Sequence, residues 1–146
     1  MQAQRATSEV PLIDVIGGRD VVLRVHRVFY GKVYAHPWLK GFFANSDRQH
    51  QENQLTDFFV GILGGPLTYS GRLPNKAHPH LFITDEVFDI RHGLLAEALA
   101  EVRIDPDIAA IWLERDELFR KVIVKKSVSE CHGRYKTEAV IAPAKP

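Results

Sequence analysis

Among the side chains that bind metals or move protons, His78 has the most telling surroundings. It follows a run of turn formers, Gly64-Gly65-Pro66-Leu67-Thr68-Tyr69-Ser70-Gly71-Arg72, and sits within Asn75-Lys76-Ala77-His78-Pro79-His80-Leu81. An apolar-faced helix is predicted on either side, and the turn between them is too long for a tight helix hairpin. Two helices held apart with an imidazole between them suit a flat, mostly apolar cofactor. Neutral imidazole is a good iron ligand, so the arrangement points to haem, with His78 beneath the iron and the preceding helix over the other face. Two other readings stay open. His78 and His80 could share a zinc ion, although a structural zinc site takes about four ligands and no third is evident. Alternatively, His78 is a solvent-exposed loop histidine. His80 cannot share a helical face with His78 and reads as exposed or near a cofactor carboxylate. Arg72 and Lys76, just before His78, are candidates to pair with such carboxylates.

The elements that must position these groups are helices. From Asp20 to about Val33 the apolar residues Val21, Val22, Val25, Val28, Phe29 and Val33 recur at helical spacing, with Arg24, His26, Arg27 and Lys32 on the opposite face. Ahead of it, Pro11 to Ile16 forms a short apolar piece that stops at Gly17-Gly18. His36-Pro37 ends the helix, because a residue before proline avoids the α region. Trp38, Leu39, Phe42 and Phe43 then form an aromatic corner. Ser46 or Asp47 can cap a helix running to about Leu63, with the stripe Gln51, Leu55, Phe58, Phe59, Ile62. Thr84 caps the next, whose core face Val87, Phe88, Leu94, Leu95, Ala98, Leu99, Val102 is interrupted by Arg91. Asp105-Pro106 opens a last helix burying Ile108, Ile111, Trp112, Leu118, Phe119, Val122 and Ile123. The expectation is an all-α domain over residues 10–126. Residues 1–9 are expected to be a flexible N-terminus, and 127–146 a largely disordered extension.

Bulk properties narrow the function classes. A chain of 146 residues can bury one core with a cofactor in it. Its formal net charge of +1 gives no support to a nucleic-acid or polybasic membrane partner. No apolar run approaches the roughly 20 residues that span a bilayer, and the first residues lack the apolar core of a signal peptide. The single cysteine, Cys131, excludes an internal disulfide and a Cys-x-x-Cys-His haem attachment. A cytoplasmic location is expected.

Taken in order, Leu12-x-x-x-Ile16-Gly17-Gly18, Phe29-Tyr30, Phe42-Phe43, the helix ending in Gly64-Gly65-Pro66, Tyr69-x-Gly71-Arg72 and Lys76-Ala77-His78-x-His80-Leu81-x-Ile83-Thr84 with Phe88 beyond resemble a truncated haemoglobin, over roughly residues 11 to 125. The Ala77-His78-x-His80-Leu81 run, and the lack of a tryptophan three residues after Phe88, are most similar to the first subgroup. The resemblance implies a two-over-two helical sandwich around haem b that binds oxygen, nitric oxide or carbon monoxide. It makes His78 the proximal ligand, with the sixth iron position open. Tyr30 matches a tyrosine over the iron, and Gln51 stands at the pocket entrance. Leu55 lies one turn deeper, where a glutamine is often found in this subgroup. Gln54 occupies a place where some relatives use a histidine as internal ligand. His50 should face about 100° from Gln51, toward the surface unless a local shift brings it over the iron. Phe43 matches an aromatic on the haem edge, and Phe42, Phe58, Phe59, Phe88 and Leu94 are pocket or core.

Arg91 departs from the pattern, which has an apolar residue or a tryptophan there. A buried, unpaired guanidinium costs several kcal/mol, so it must reach a propionate, an anion or the distal ligand, or snorkel to solvent. His92 reads as a satisfied interface histidine. The family implies oxygen transport or nitric oxide dioxygenation, the latter with a reductase partner. A gas or redox sensor and a peroxidase-like module are the alternatives.

Overall fold

The computed structural model describes residues 10–146; the expectation for residues 1–9 lies outside them. Gly17 and Gly18, at φ 115° and 85°, break helix α1 (Leu12–Ile16) from α2 (Arg19–Ala35). Side chains rarely adopt these angles, which is why glycines serve here. A 3-10 turn, Leu39–Phe43, leads to α3 (Arg48–Ile62). A single turn, α4 (Pro74–Ala77), delivers His78. Then come α5 (Asp85–Glu101), α6 (Pro106–Glu117) and the short α7 (Arg120–Ile123).

Three helix starts follow from side-chain acceptors that satisfy otherwise orphaned amides. Asp47 accepts from His50 N at 2.8 Å, Thr84 from Val87 N at 3.2 Å and Asp105 from Asp107 N at 2.9 Å. Of the two candidates for capping α3, Asp47 takes the position. Helix α2 packs on both α3 and α5, and α5 packs on α6, giving two helix pairs laid over one another. Phe29, Phe59, Phe88, Leu95, Leu99 and Trp112 are almost wholly buried where these helices meet. Each contributes about 1.5–3 kcal/mol of transfer free energy relative to exposure.

Because α2 is covered from two sides, its buried arc is wider than the sequence pattern suggests. His26, expected on the polar face with Arg24 and Arg27, is instead fully buried.

The extension from residue 127 also differs from the expected loose tail. Ser127 and Glu130 form a capping box around the 3-10 turn Val128–Glu130. Beyond it the chain lies along the loop after His78: Ile141 N donates to His80 O at 2.7 Å and Phe82 N to Ile141 O at 2.9 Å. Trp38 Nε1 donates to Pro143 O at 3.1 Å. An extended segment whose hydrogen bonds go to a loop carries no helical periodicity, so the pattern fades although the backbone is paired. Among the described residues no helix is long and apolar enough to cross a membrane.

Candidate functional site

A cavity of about 740 Å³ opens between α2 and α3 on one side and the 69–81 segment on the other. His78 lines it from the end of α4. Its Nδ1 lies 2.8 Å from Pro74 O, which can only accept, so Nδ1 carries the proton and Nε2 keeps its lone pair. Burial pulls the ring's pKa down to about 4, with the charges of Arg91 and Lys125 adding to the effect and the Pro74 carbonyl opposing it. The imidazole is therefore neutral at neutral pH, the form that ligates a metal.

Tyr30 lines the same cavity, only 6% exposed, with its ring edge-on to Phe43 at 5.8 Å. Its hydroxyl forms no hydrogen bond among the described residues. Burial pushes its pKa well above the usual phenol value while the charge of Arg91 acts against that, so it remains a donor. Gln51, Gln54, Leu55, Phe58 and Phe59 line the same cavity from α3. His50, assigned to the surface by helical geometry, is exposed but also reaches the rim, 3.4 Å from Gln54 Nε2. Phe43 and Arg72 line the cavity too, and Arg72 donates to the Tyr135 hydroxyl. Lys76 is exposed and outside the lining, so the structure does not bring it to the cavity. Phe88 is fully buried behind the wall, under the guanidinium groups of Arg91 and Arg120.

Arg91 neither snorkels nor stays unpaired. Its Nη1 donates to Asp116 Oδ2 at 2.7 Å, and its guanidinium lies 5.4 Å from the centroids of both Phe29 and Phe88. His92 Nδ1 donates to the same carboxylate oxygen at 2.8 Å. Burial alone would raise the pKa of Asp116, but Arg91 and His92 outweigh it and hold the carboxyl near 2. Asp116 was missed in the sequence. The available signal was an acid one helical turn after Trp112 on a buried face, opposite a lone arginine on the neighbouring helix.

The bacterial-like globin family model matches residues 11–124. A group 1 truncated haemoglobin from Tetrahymena pyriformis is 34% identical over 93 residues, 64% of this chain and 77% of that protein. The chain belongs to the bacterial-like globin family, as a group 1 truncated haemoglobin. Its fold matches the crystal structure of the T. pyriformis protein in the Fe(III) form with a TM-score of 0.71, at 32% identity, over 79% of this chain and 98% of that one. It also matches the 2/2 haemoglobin of a Synechococcus species, solved with covalently attached haem, with a TM-score of 0.74, at 26% identity, over 80% and 100% of the two chains.

Haem is the cofactor of this family, and the globin's cavity fits it. Its volume lies within the roughly 300–1,000 Å³ range of cofactor pockets, its walls are largely aromatic and aliphatic, and His78 offers it a neutral imidazole with Nδ1 already spent. His80, expected to be exposed or near a cofactor carboxylate, is 6% exposed in the globin and lines the cavity. The extension covers it, with Glu138 3.9 Å from its Nε2.

Behind the cavity, His26 Nδ1 meets Thr56 Oγ1 at 2.8 Å, and the ring sits edge-on to Phe59 and Trp112, each at 5.9 Å. Burial, aided by the charge of Arg91 and opposed by Asp116, lowers its pKa to about 3. The unfolded chain takes up this proton near the ordinary histidine value of about 6.5. Folded globin thus binds fewer protons between those values, and stability present above pH 6.5 is lost as pH falls toward 3. His26→Gln is expected to reduce the loss between about pH 7 and about pH 4.5 by about 2–3 kcal/mol. Urea unfolding of both proteins at the two pH values measures it; equal losses would remove His26 as the source.

Proposed function

We propose that this globin reversibly binds dioxygen, and the related diatomics nitric oxide and carbon monoxide, at haem b held by His78. The observation that carries the reading is that His78, neutral and with only Nε2 left to offer, lines one cavity with the Tyr30 hydroxyl, which has no partner among the described residues. Bound haem supplies an iron with a position for a diatomic ligand. The chain supplies the rest. Pro74 fixes the His78 tautomer, and such partners typically matter about 10–100-fold for metal affinity. Phe43, Leu55, Phe58 and Phe59 exclude water, and Tyr30 and Gln51 offer donors to the ligand, with Gln54 and His50 at the rim. Arg72 is the cation best placed for a propionate.

Absorption spectra of haem-loaded protein, ferric, ferrous and under carbon monoxide, test the reading. A five-coordinate ferrous form converting to a histidine–carbon monoxide spectrum is expected; no haem uptake would overturn it. Tyr30→Phe is expected to speed oxygen dissociation by about one to two orders of magnitude, from the loss of one hydrogen bond to a charged acceptor of about 1.5–3 kcal/mol. Stopped-flow replacement of oxygen by carbon monoxide measures this, and an unchanged rate would exclude Tyr30. The same donors serve nitric oxide dioxygenation, in which oxygen and nitric oxide yield nitrate and an external reductase returns the electron. The free thiol of Cys131 suits a reducing, cytoplasmic setting.

A further inference from the structure

The loop that carries His78 is held by chain from far outside it. Helix α4 is a single turn, Pro74–Ala77, and no regular element follows it before α5. So short an element leaves the carbonyls at and after its end without helical partners. The segment 125–141 bonds them instead. Arg134 Nη1 donates to Ala77 O at 3.4 Å, His132 N to Pro79 O at 2.9 Å and Ile141 N to His80 O at 2.7 Å. Lys125 Nζ donates to both His78 O and Leu81 O, the second at 2.7 Å, and Lys125 N donates to Ile83 O at 2.9 Å. From Ala77 to Leu81 every carbonyl therefore accepts from that segment. All the donors lie beyond residue 124, where the family match ends.

Lys125 is the distinctive member. Its ammonium is half-buried and pairs with no carboxylate among the described residues; its acceptors are two carbonyls of one loop. Taking an ammonium out of water is costly unless hydrogen bonds replace the water, and an ordinary surface lysine keeps its charge in solvent. Here the bonds go to the peptide of His78 itself and to that of Leu81. The His78 ring is already fixed at Nδ1 by Pro74 O, from the N-terminal side of the ligand. Lys125 holds the backbone on the C-terminal side. The residue is thus tied at its ring from one flank and at its carbonyl from the other, which limits the directions open to Nε2.

We propose that Lys125 is a positioning residue for the proximal ligand: by bridging His78 O and Leu81 O it clamps the loop, so that the imidazole meets the haem iron in one fixed orientation. The inference rests on the haem reading above and assigns part of that site to the segment 125–141, whose Glu138, Ala139 and Ile141 also line the cavity.

The test uses the haem-loaded full chain and three variants. Lys125→Met is close in length but has no donor, Lys125→Arg can serve both carbonyls, and Lys126→Met alters the exposed neighbour. Two quantities are read: the iron–histidine stretching band of the ferrous protein by resonance Raman, and the rate of haem transfer from the ferric protein to excess apomyoglobin. In Lys125→Met the band is expected to shift or broaden and transfer to quicken about 10–100-fold, the range for losing a partner that orients a metal ligand. Lys125→Arg should restore the wild-type band, and Lys126→Met should leave both quantities alone. An unchanged band in Lys125→Met overturns the inference even if haem is lost faster, since faster loss alone marks a general contribution to the stability of the cavity. Equal changes in Lys126→Met overturn it too. Where Lys125→Met lacks the wild-type far-ultraviolet circular dichroism, Lys125→Ala, which lets water reach the freed carbonyls, takes its place under the same criteria. A wild-type protein that takes up no haem, or shows no iron–histidine band, overturns the haem reading itself, and this inference with it.

Discussion

His78→Ala is expected to leave a folded chain that no longer retains haem through gel filtration. The expectation comes from how little else in the cavity can take the place of the imidazole. His80, two residues on, has Nδ1 buried without accessible surface and Nε2 beside Glu138. His26 lies behind the wall with Nδ1 on Thr56. His50 is a rim residue on the α3 side. The aromatic walls remain and will hold haem weakly, so the readout must separate binding from ligation. His78→Gly with added imidazole does so, because the small ligand can occupy the space of the lost side chain. Restoration of a histidine-type ferrous carbon monoxide spectrum by millimolar imidazole is the expected outcome. Full haem retention by His78→Ala with an unaltered spectrum would move the ligand to another residue.

Much of the frame needed for that argument was legible in the sequence, for local reasons. Asp47, Thr84 and Asp105 each announce a helix because a short acceptor side chain before an apolar-periodic run satisfies free amides. His36-Pro37 and Gly64-Gly65-Pro66 announce the ends. Tyr30, Gln51 and His78 share one cavity because they sit on elements whose order and spacing the chain fixes locally. The features that were not legible depend on tertiary contacts. His26 reads as polar-face because periodicity gives one buried arc per helix, whereas α2 is covered by both α3 and α5. Of the two places open to His80, exposed or near a cofactor carboxylate, the first is closed by Glu138 and Ile141, which come from far along the chain. Arg91 could be recognised as needing a partner, but the partner is 25 positions away on another helix. A pairing of that kind has no local pattern to betray it.

That pair carries the second large effect. Asp116→Ala is expected to destabilise the protein by about 3–5 kcal/mol, the range for removing one partner of a buried ion pair. The cost is chiefly that of leaving Arg91 between Phe29 and Phe88 with its charge uncompensated, and His92 without its acceptor. Replacing both members should cost less than replacing one, since apolar side chains in both places remove the charge along with its counter-charge. Urea unfolding of Asp116→Ala, Arg91→Leu and the double variant closes the cycle; strictly additive losses would show that the two side chains do not interact. Acid supplies an independent check on the same group. The carboxyl is held near 2 in the folded protein, against an ordinary value of 3.8. Its contribution is therefore present above pH 3.8 and lost as pH falls toward 2. Asp116→Ala should lack that segment of the acid transition while keeping the earlier one that His26 produces at higher pH. The two steps separate because one group is a buried base kept neutral and the other a buried acid kept charged.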